Sequence, residues 1–232
     1  MADERPAEES EFRMSFPEDL KQRVLALAAA TPTPPRSGRR LSAVGLALLA
    51  TLAMAATLMA AGGPAHAAGR PAAVGSWVVG GMLALALAAS WHALPASRSM
   101  LGRPRGQLLA VALGVPLLVG LWLLLWHSSY VDPFERTGFR CLALTAATAP
   151  WPFALLAYLS RRIEPRHPAL LGAALGSAAG GWAAVMVELW CPLADPGHVA
   201  IGHVLPLLVL TLVAAGIGSR LFAVRRVTLR RV

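Results

Sequence analysis

The chain has 232 residues, of which 56% are hydrophobic and 14% are charged, and its mean hydropathy is +0.57. A soluble globular protein carries about 25% charged residues, so this chain has too few charges to present a polar surface to water. The composition therefore excludes an ordinary soluble domain and indicates a membrane protein. The formal net charge of +9 does not indicate direct nucleic-acid binding, because most of the arginines flank apolar runs, as topogenic charges do.

The first 40 residues precede the apolar runs and hold most of the 12 acidic residues. Ser15 and Glu18 form a capping-box pattern, with Pro17 in the first turn, which predicts a helix over about 16–30. Four apolar side chains recur at a spacing that places them on one face of this helix. This stripe consists of Phe16, Leu20, Val24 and Leu27. The proline-rich run over 31–35 then ends the helix and makes an extended tether.

A helix of this length is marginally stable alone in water, so another surface is expected to cover its apolar stripe. The polar face mixes Glu18, Asp19, Lys21 and Arg23, whereas a helix that lies on a membrane surface is rich in cations. We therefore expect the groove of a partner protein to bind the stripe. The membrane surface and a leader without a function are the alternatives.

Six apolar stretches are long enough to cross a bilayer, which takes about 20 helical residues. They are Leu41–Ala61, Ala72–Leu94, Gly106–Trp126, Cys141–Leu159, Pro168–Trp190 and Val199–Ser219. The sequence thus predicts an all-α protein, with a six-helix transmembrane bundle over 41–219. A cytoplasmic leader over 1–40 with a short amphipathic helix precedes the bundle, and a basic cytoplasmic tail over 220–232 follows it.

The arginines lie mainly on alternate flanks of these stretches, as in Arg39–Arg40, Arg161–Arg162 and the C-terminal tail. Because positively charged flanks stay in the cytoplasm, this bias predicts an inner-membrane protein with both termini inside. Arg39–Arg40 and the later Ala65–Ala67 also resemble a twin-arginine signal with a cleavage site. The apolar run between them exceeds the 7–15 residues typical of a signal peptide, so we expect the first span to be retained.

The fifth stretch has glycines at a spacing of four, which places them on one helix face and lets another helix approach closely. They are Gly172, Gly176 and Gly180, and we assign them helix packing alone. No span carries an ionisable residue near its middle, which disfavours an ion or proton transporter. HExxH, GxSxG and Gly-rich phosphate-loop motifs are missing from the sequence, so we expect no catalytic site.

The two cysteines of the chain are Cys141, at the start of the fourth stretch, and Cys191, after the fifth. The predicted topology places both at the outer face, which bacteria keep oxidising. A disulfide between them requires Cα atoms within about 7 Å, and the sequence does not show whether the two helix faces meet. We expect the pair to take part in redox or signal sensing.

Two histidines and two acids lie near Cys191, and thiolate and imidazole groups suit soft or borderline metals. His198 and His203 are five residues apart and do not share a face of an α-helix, and no CxxC or HxxxH spacing is present. We therefore predict no metal site and no cofactor. We expect His198 to lie in a solvated outer loop.

Several of these residues together resemble the NrsF family of membrane anti-sigma factors, named for negative regulation of sigma F. In order, the matching features are Cys141, Arg161-Arg162, Pro168, the glycines at 172, 176 and 180, Cys191-Pro192, Asp195, His198-Val199 and Gly216-x-Gly218-x-Arg220. The leader Leu20–Ala30 is also similar to the family's cytoplasmic start. The chain departs from the family pattern at Ala200–His203, where the family has a Trp-Tyr pair.

The resemblance implies that the leader holds an extracytoplasmic-function sigma factor at the membrane, away from RNA polymerase. It further implies that an oxidant or heavy metal acting on Cys141 and Cys191 at the outer face releases this partner. The residues alone leave two other classes open. One is a small transporter or redox protein, although thiol exchange usually uses a vicinal pair such as CxxC. The other is a structural subunit of a membrane complex.

Overall fold

The computed structural model describes residues 18–30, 72–94, 103–126, 138–161, 165–191 and 195–222, with further positions between 38 and 56. Nearly all of these residues are helical, and no strand occurs among them, so the all-α prediction is confirmed for this part of the chain. The helices are α1 (Glu18–Ala30), α2 (Ala72–Ala93), α3 (Arg105–Leu125), α4 (Phe139–Thr148), α5 (Pro150–Ser160), α6 (Pro168–Glu188), α7 (Pro196–Val199), a π-helix (Ala200–Val204) and α8 (Leu205–Leu221).

Five of the described helical segments are long and apolar enough to cross a membrane. They are Val74–Ala93, Arg105–Leu125, Phe139–Ser160, Pro168–Glu188 and Pro196–Leu221, and they correspond to the second to sixth predicted spans. About half of the first predicted span, Leu41–Ala61, lies outside the described residues, and those of its positions that are described are helical. The count of six spans and the orientation of the termini therefore stay predictions.

The third of these segments joins α4 and α5 at Ala149, directly before Pro150. Proline lacks a backbone N–H and is tolerated at the first position of a helix, which explains why a new helix begins there. The backbone of Ala149 is itself helical, so the segment continues across the break. The sequence predicted this region as one uninterrupted helix.

The chain divides into two compact units, Met1–Pro34 and Pro35–Val232, and α1 belongs to the first. The predicted helix is present and begins at Glu18, within two residues of the expected start. Leu20 and Leu25 are 46% and 60% exposed. Lys21 Nζ donates to Glu18 Oε1 at 3.3 Å on the helix surface. The side chains of the other three stripe positions, 16, 24 and 27, lie outside the described residues.

Helix α6 forms the centre of the second unit. Every residue from 171 to 188 is buried, and α6 packs against α2, α3, α4, α5 and α8, most extensively against α8. A helix that is apolar all round is typically buried, and the Gly- and Ala-rich sequence of α6 lets its neighbours approach closely. The other long helices expose one apolar face, as Leu117 and Leu212 show at 70% and 72% exposure. Helices that face lipid have this pattern.

The three glycines of α6 lie against α8. A Cβ atom on Gly172 would overlap the backbone of Ala214, and one on Gly176 would overlap the Cβ atom of the same alanine. A Cβ atom on Gly180 would lie 3.1 Å from Cγ of Leu207. This face therefore has no room for larger side chains near Ala214, and the two helices are held at close range.

Polar side chains also link α6 to its neighbours. Trp182 Nε1 donates to Ser90 Oγ of α2 at 2.9 Å, and both groups are buried. The Ser177 hydroxyl lies 3.2 Å from the carbonyl oxygens of Val111 and Ala112 in α3. Hydrogen bonds in an apolar protein interior of low dielectric constant are stronger than in water. They fix the rotation of α6 within a core whose apolar contacts alone would be less specific.

Candidate functional site: a buried cysteine–histidine cluster

Two cysteines and two histidines meet near the C-terminal end of α6. Cys141 lies in the first turn of α4, Cys191 follows α6, His198 lies in α7, and His203 lies in the π-helix. One potential ligand atom from each of the four residues lies within 4.8 Å of all the others. We call these four residues the Cys–His cluster. The structure thus brings together the two cysteines singled out from the sequence and adds two histidines to them.

Local backbone structure fixes the segment between Cys191 and the histidines. The backbone N–H of Cys191 donates to the carbonyl oxygen of Val187 at 2.8 Å, which continues the helical pattern of α6 past its last residue. Asp195 caps α7, because its Oδ2 accepts from the backbone N–H groups of Gly197 at 3.0 Å and His198 at 3.2 Å. A side-chain cap of this kind is typical of a stable helix start. The capped helix therefore fixes the backbone position from which the His198 side chain extends.

The π-helix explains how two histidines five residues apart can meet. In an α-helix with 3.6 residues per turn, positions five apart point about 140° away from each other. A π-helix instead closes i→i+5 hydrogen bonds, which brings such positions towards one face. The ring centroids of His198 and His203 are 5.4 Å apart, with an interplanar angle of 53°. The sequence argument assumed α-helical spacing and therefore missed this pairing.

Most of the cluster is buried. His198 and Cys191 are each 5% exposed and His203 is 1% exposed, whereas Cys141 is half-buried. The expectation of a solvated loop around His198 is wrong, since this residue lies in the capped helix α7 and its side chain is buried. Glu188, one turn before Cys191, is buried as well.

One imidazole nitrogen faces both sulfur atoms. His198 Nε2 lies 3.1 Å from Sγ of Cys191 and 3.5 Å from Sγ of Cys141, and no disulfide joins the two cysteines. The hydrogen bond with Cys141, together with burial, raises the pKa of Cys191 to about 11, and the two imidazoles only partly oppose this shift. The Cys191 thiol therefore keeps its proton at neutral pH in this arrangement.

His203 is the most unusual member of the cluster. Neither of its ring nitrogens has a hydrogen-bond partner among the described residues, although both atoms are buried. Leaving a buried polar group without a partner costs about 1–3 kcal/mol, and each such group in a native protein requires an explanation. The ring nitrogens lie beside two thiols and a second imidazole, which makes a ligand the natural explanation.

Two glycines allow α4 to reach the histidines. Gly138, directly before α4, has a φ of +84°, a conformation that side chains other than glycine rarely adopt. A Cβ atom on Gly138 would lie 2.9 Å from the backbone nitrogen of Gly202, and one on Gly202 would lie 3.2 Å from Cβ of Cys141. This close approach places Cys141 in the cluster. The sequence analysis missed both glycines, although Gly202 lies in the stretch that departs from the resemblance.

The fold and the cluster define an all-helical protein with helices able to cross a membrane and with a thiol–imidazole site near the end of its central helix. The chain belongs to the NrsF family, described as negative regulator of sigma F, whose model matches residues 25–223. The resemblance seen in the sequence is thereby confirmed, and the match includes all four cluster residues. The family is regulatory and is not an enzyme class. Comparisons with curated proteins and with solved structures each found no match.

Proposed function

We propose that this chain is a membrane-embedded anti-sigma factor. It holds an extracytoplasmic-function sigma factor at the bacterial inner membrane and releases it when a signal reaches the Cys–His cluster. The family match supports negative regulation of a sigma factor, and five apolar helices of spanning length support the bilayer as the surroundings. The arginine bias of the sequence favours cytoplasmic termini and an outer-face cluster.

The observation that carries the signalling role is the meeting of Cys141 and Cys191 at one imidazole. Neither thiol is near the other in sequence, yet both contact His198. Cys191 follows α6 directly, and the histidine segment leads into α8. A change in bonding at the cluster therefore acts on the ends of α6 and α8, which pack together along the glycine face. Signal transfer through packed helices requires an element with two arrangements, and this helix pair is our candidate.

The leader helix supplies the proposed binding surface for the sigma factor. Its described apolar side chains are exposed, and α1 belongs to its own compact unit. Burying one leucine side chain against a partner contributes about 1.5–3 kcal/mol. The stripe of Phe16, Leu20, Val24 and Leu27 thus offers enough apolar surface for stable capture, and the acidic residues before it would steer a basic partner.

The test is capture of the cognate sigma factor by the full-length chain. The wild type is compared with a double variant that carries both Leu20→Asp and Val24→Asp. Loss of two buried apolar contacts should weaken capture by about 3–6 kcal/mol, more than a hundredfold, since each 1.4 kcal/mol is about tenfold. Leu25→Asp is the matched control, because Leu25 is exposed and points away from the stripe, about 140° from its centre.

Capture should survive in the Leu25→Asp control, and all variants should still insert into the membrane. Equal capture by the double variant and the wild type would show that the cytoplasmic loops or the C-terminal tail carry the contact instead. A loss that is equal in the control would show that the helix acts through its charge or stability and has no specific apolar face.

A membrane redox protein is the second candidate, because the two thiols are adjacent. Redox-active cysteines typically have a lowered thiol pKa, whereas the contact with Cys141 and burial raise the pKa of Cys191. This environment therefore disfavours a thiol that exchanges electrons in every catalytic cycle.

A further inference from the structure

We propose that Cys141, Cys191, His198 and His203 form a four-ligand site for one divalent cation of the zinc class, meaning Zn²⁺ or the softer Cd²⁺. The inference deepens the proposed function, on which its regulatory meaning rests, by naming what the cluster binds. The metal-binding step itself requires no partner protein.

The donor set selects this class of cation. Two thiolates and two imidazoles form one of the standard tetrahedral zinc sites, and sulfur ligands suit soft or borderline metals. Magnesium and calcium require oxygen ligands, and no carboxylate belongs to the group of four. The histidine ligands also separate this proposal from a site made by the two cysteines alone.

The geometry is close to that of a bound state. In a tetrahedral site with Zn–S bonds of about 2.3 Å and Zn–N bonds of about 2.0 Å, neighbouring ligand atoms lie about 3.3–3.8 Å apart. The ligand atoms of the cluster all lie within 4.8 Å of one another. A contraction of the longest of these distances by about 1–1.5 Å therefore suffices. On binding, both thiols release their protons to water and each sulfur forms a bond to the cation.

His203 provides an independent observation that points to a ligand. Its ring is 1% exposed, and both ring nitrogens are without a hydrogen-bond partner in the described part of the chain. Coordination of a cation through one ring nitrogen would compensate for part of the hydrogen bonding to water that His203 loses on burial. His203 lies beside the Cys191 thiol and the His198 ring, yet neither ring nitrogen forms a hydrogen bond of good geometry within the described residues.

The backbone also brings the four ligands together at special positions. The π-helix over Ala200–Val204 contains His203 and follows His198 closely, which brings residues five apart towards one face, and single-turn π-helices occur frequently at functional sites. Gly138 and Gly202 allow the close approach of α4. Gly202 and His203 are neighbours in the π-helix, so the same short segment supplies one ligand and the space that Cys141 needs.

The deciding experiment uses the purified, reduced, full-length chain in detergent, with Zn²⁺ or Cd²⁺ alone as the probe. Equilibrium binding should give one cation per chain. X-ray absorption at the zinc edge should show two sulfur and two nitrogen ligands, a measurement that requires no variant. A first shell of sulfur and oxygen alone, or no binding, would overturn the inference.

Variants then assign the nitrogen ligands. His203→Ala and His198→Ala should each lower the affinity at least about tenfold, since even the loss of a residue that only supports a ligand costs 10–100-fold. His167→Ala is the matched control, because His167 is exposed at the start of α6. The affinity of this variant for the cation should equal that of the wild type. Unchanged affinity in both cluster variants would contradict the proposal.

Sigma-factor capture by the same preparations separates this inference from the proposed function. A chain that binds the cation through two sulfurs and two nitrogens but fails to capture a sigma factor leaves the metal site standing and refutes the regulatory role. A chain that captures the sigma factor but shows only sulfur ligation keeps the proposed function and refutes the four-ligand site.

Discussion

The leader helix and the Cys–His cluster are built in opposite ways. In α1 the described apolar side chains are exposed, and the described side-chain bond is the surface pair of Lys21 and Glu18. In the cluster, four side chains from separate elements meet in a mostly buried site, and a capped helix, a π-helix and two close-packed glycines position them. The described leader side chains are thus open to the partner that we propose, whereas the bundle preorganises the cluster.

The largest expected effect on the stability of the bundle comes from breaking the packing that supports the cluster. Gly176→Leu in α6 places a side chain where a Cβ atom already overlaps Ala214 of α8. Overpacking of a core typically costs about 1–3 kcal/mol, occasionally more, and we expect at least this loss because a methyl group and a backbone oxygen of α8 lie in the way. Thermal unfolding in detergent should report it, together with faster alkylation of Cys191.

Gly80→Leu is the control for this experiment, because a Cβ atom on Gly80 meets nothing within 4 Å. It should be neutral or stabilising by up to about 1 kcal/mol, since glycine is a poor helix former. If both variants unfold at the same temperature as the wild type, the α6–α8 contact does not support the bundle. The bundle would then not preorganise the cluster, and in this respect it would not differ from the leader helix.

Oxidation of the cluster should have the next largest effect. Preorganised thiols should form a Cys141–Cys191 disulfide when diamide is added to the metal-free chain, because their sulfur atoms lie within 4.8 Å and the bond requires about 2 Å. The two thiols give two electrons and two protons to the oxidant. Non-reducing mobility after alkylation measures the bond, with Cys141→Ser and Cys191→Ser as controls. Mobility equal to that of the serine variants would show that the cysteines cannot approach.

Charge reversal in the leader should have the smallest effect. Glu8→Lys with Glu9→Lys should weaken sigma-factor capture at most about thirtyfold at low salt, because each of the two exposed charge pairs contributes about 0.2–1 kcal/mol. The effect should disappear in high salt, where the Debye length shortens. A loss as large as that of the double aspartate variant would make the leader an electrostatic surface and would remove the role of its apolar stripe.

The sequence predicted the features that depend on composition and regular periodicity. The role of sigma-factor regulator came from the resemblance to the NrsF family, whereas composition and periodicity indicated the all-α class, five of the spans that the structure describes and the start of α1 within two residues. The position of Glu18 in a capping box and the apolar length of each span were sufficient for this, because both are local signals.

Features that depend on irregular backbone were not predicted. The pairing of His198 with His203 needs a π-helix, and nothing in an α-helical wheel indicates one. The approach of α4 to this segment needs Gly138 at positive φ and Gly202 without a side chain, a contact between residues distant in sequence. The break before Pro150 was visible in the sequence but was not used.

The central claim is that the cluster controls what the leader holds. The most direct test is release of a captured sigma factor from full-length chains in membrane vesicles on addition of diamide or Cd²⁺, comparing the wild type with the Cys141→Ser, Cys191→Ser double variant. Both chains should capture the sigma factor equally, and only the wild type should release it. Release to the same extent from the double serine variant would contradict the claim, because the signal would then bypass the cluster.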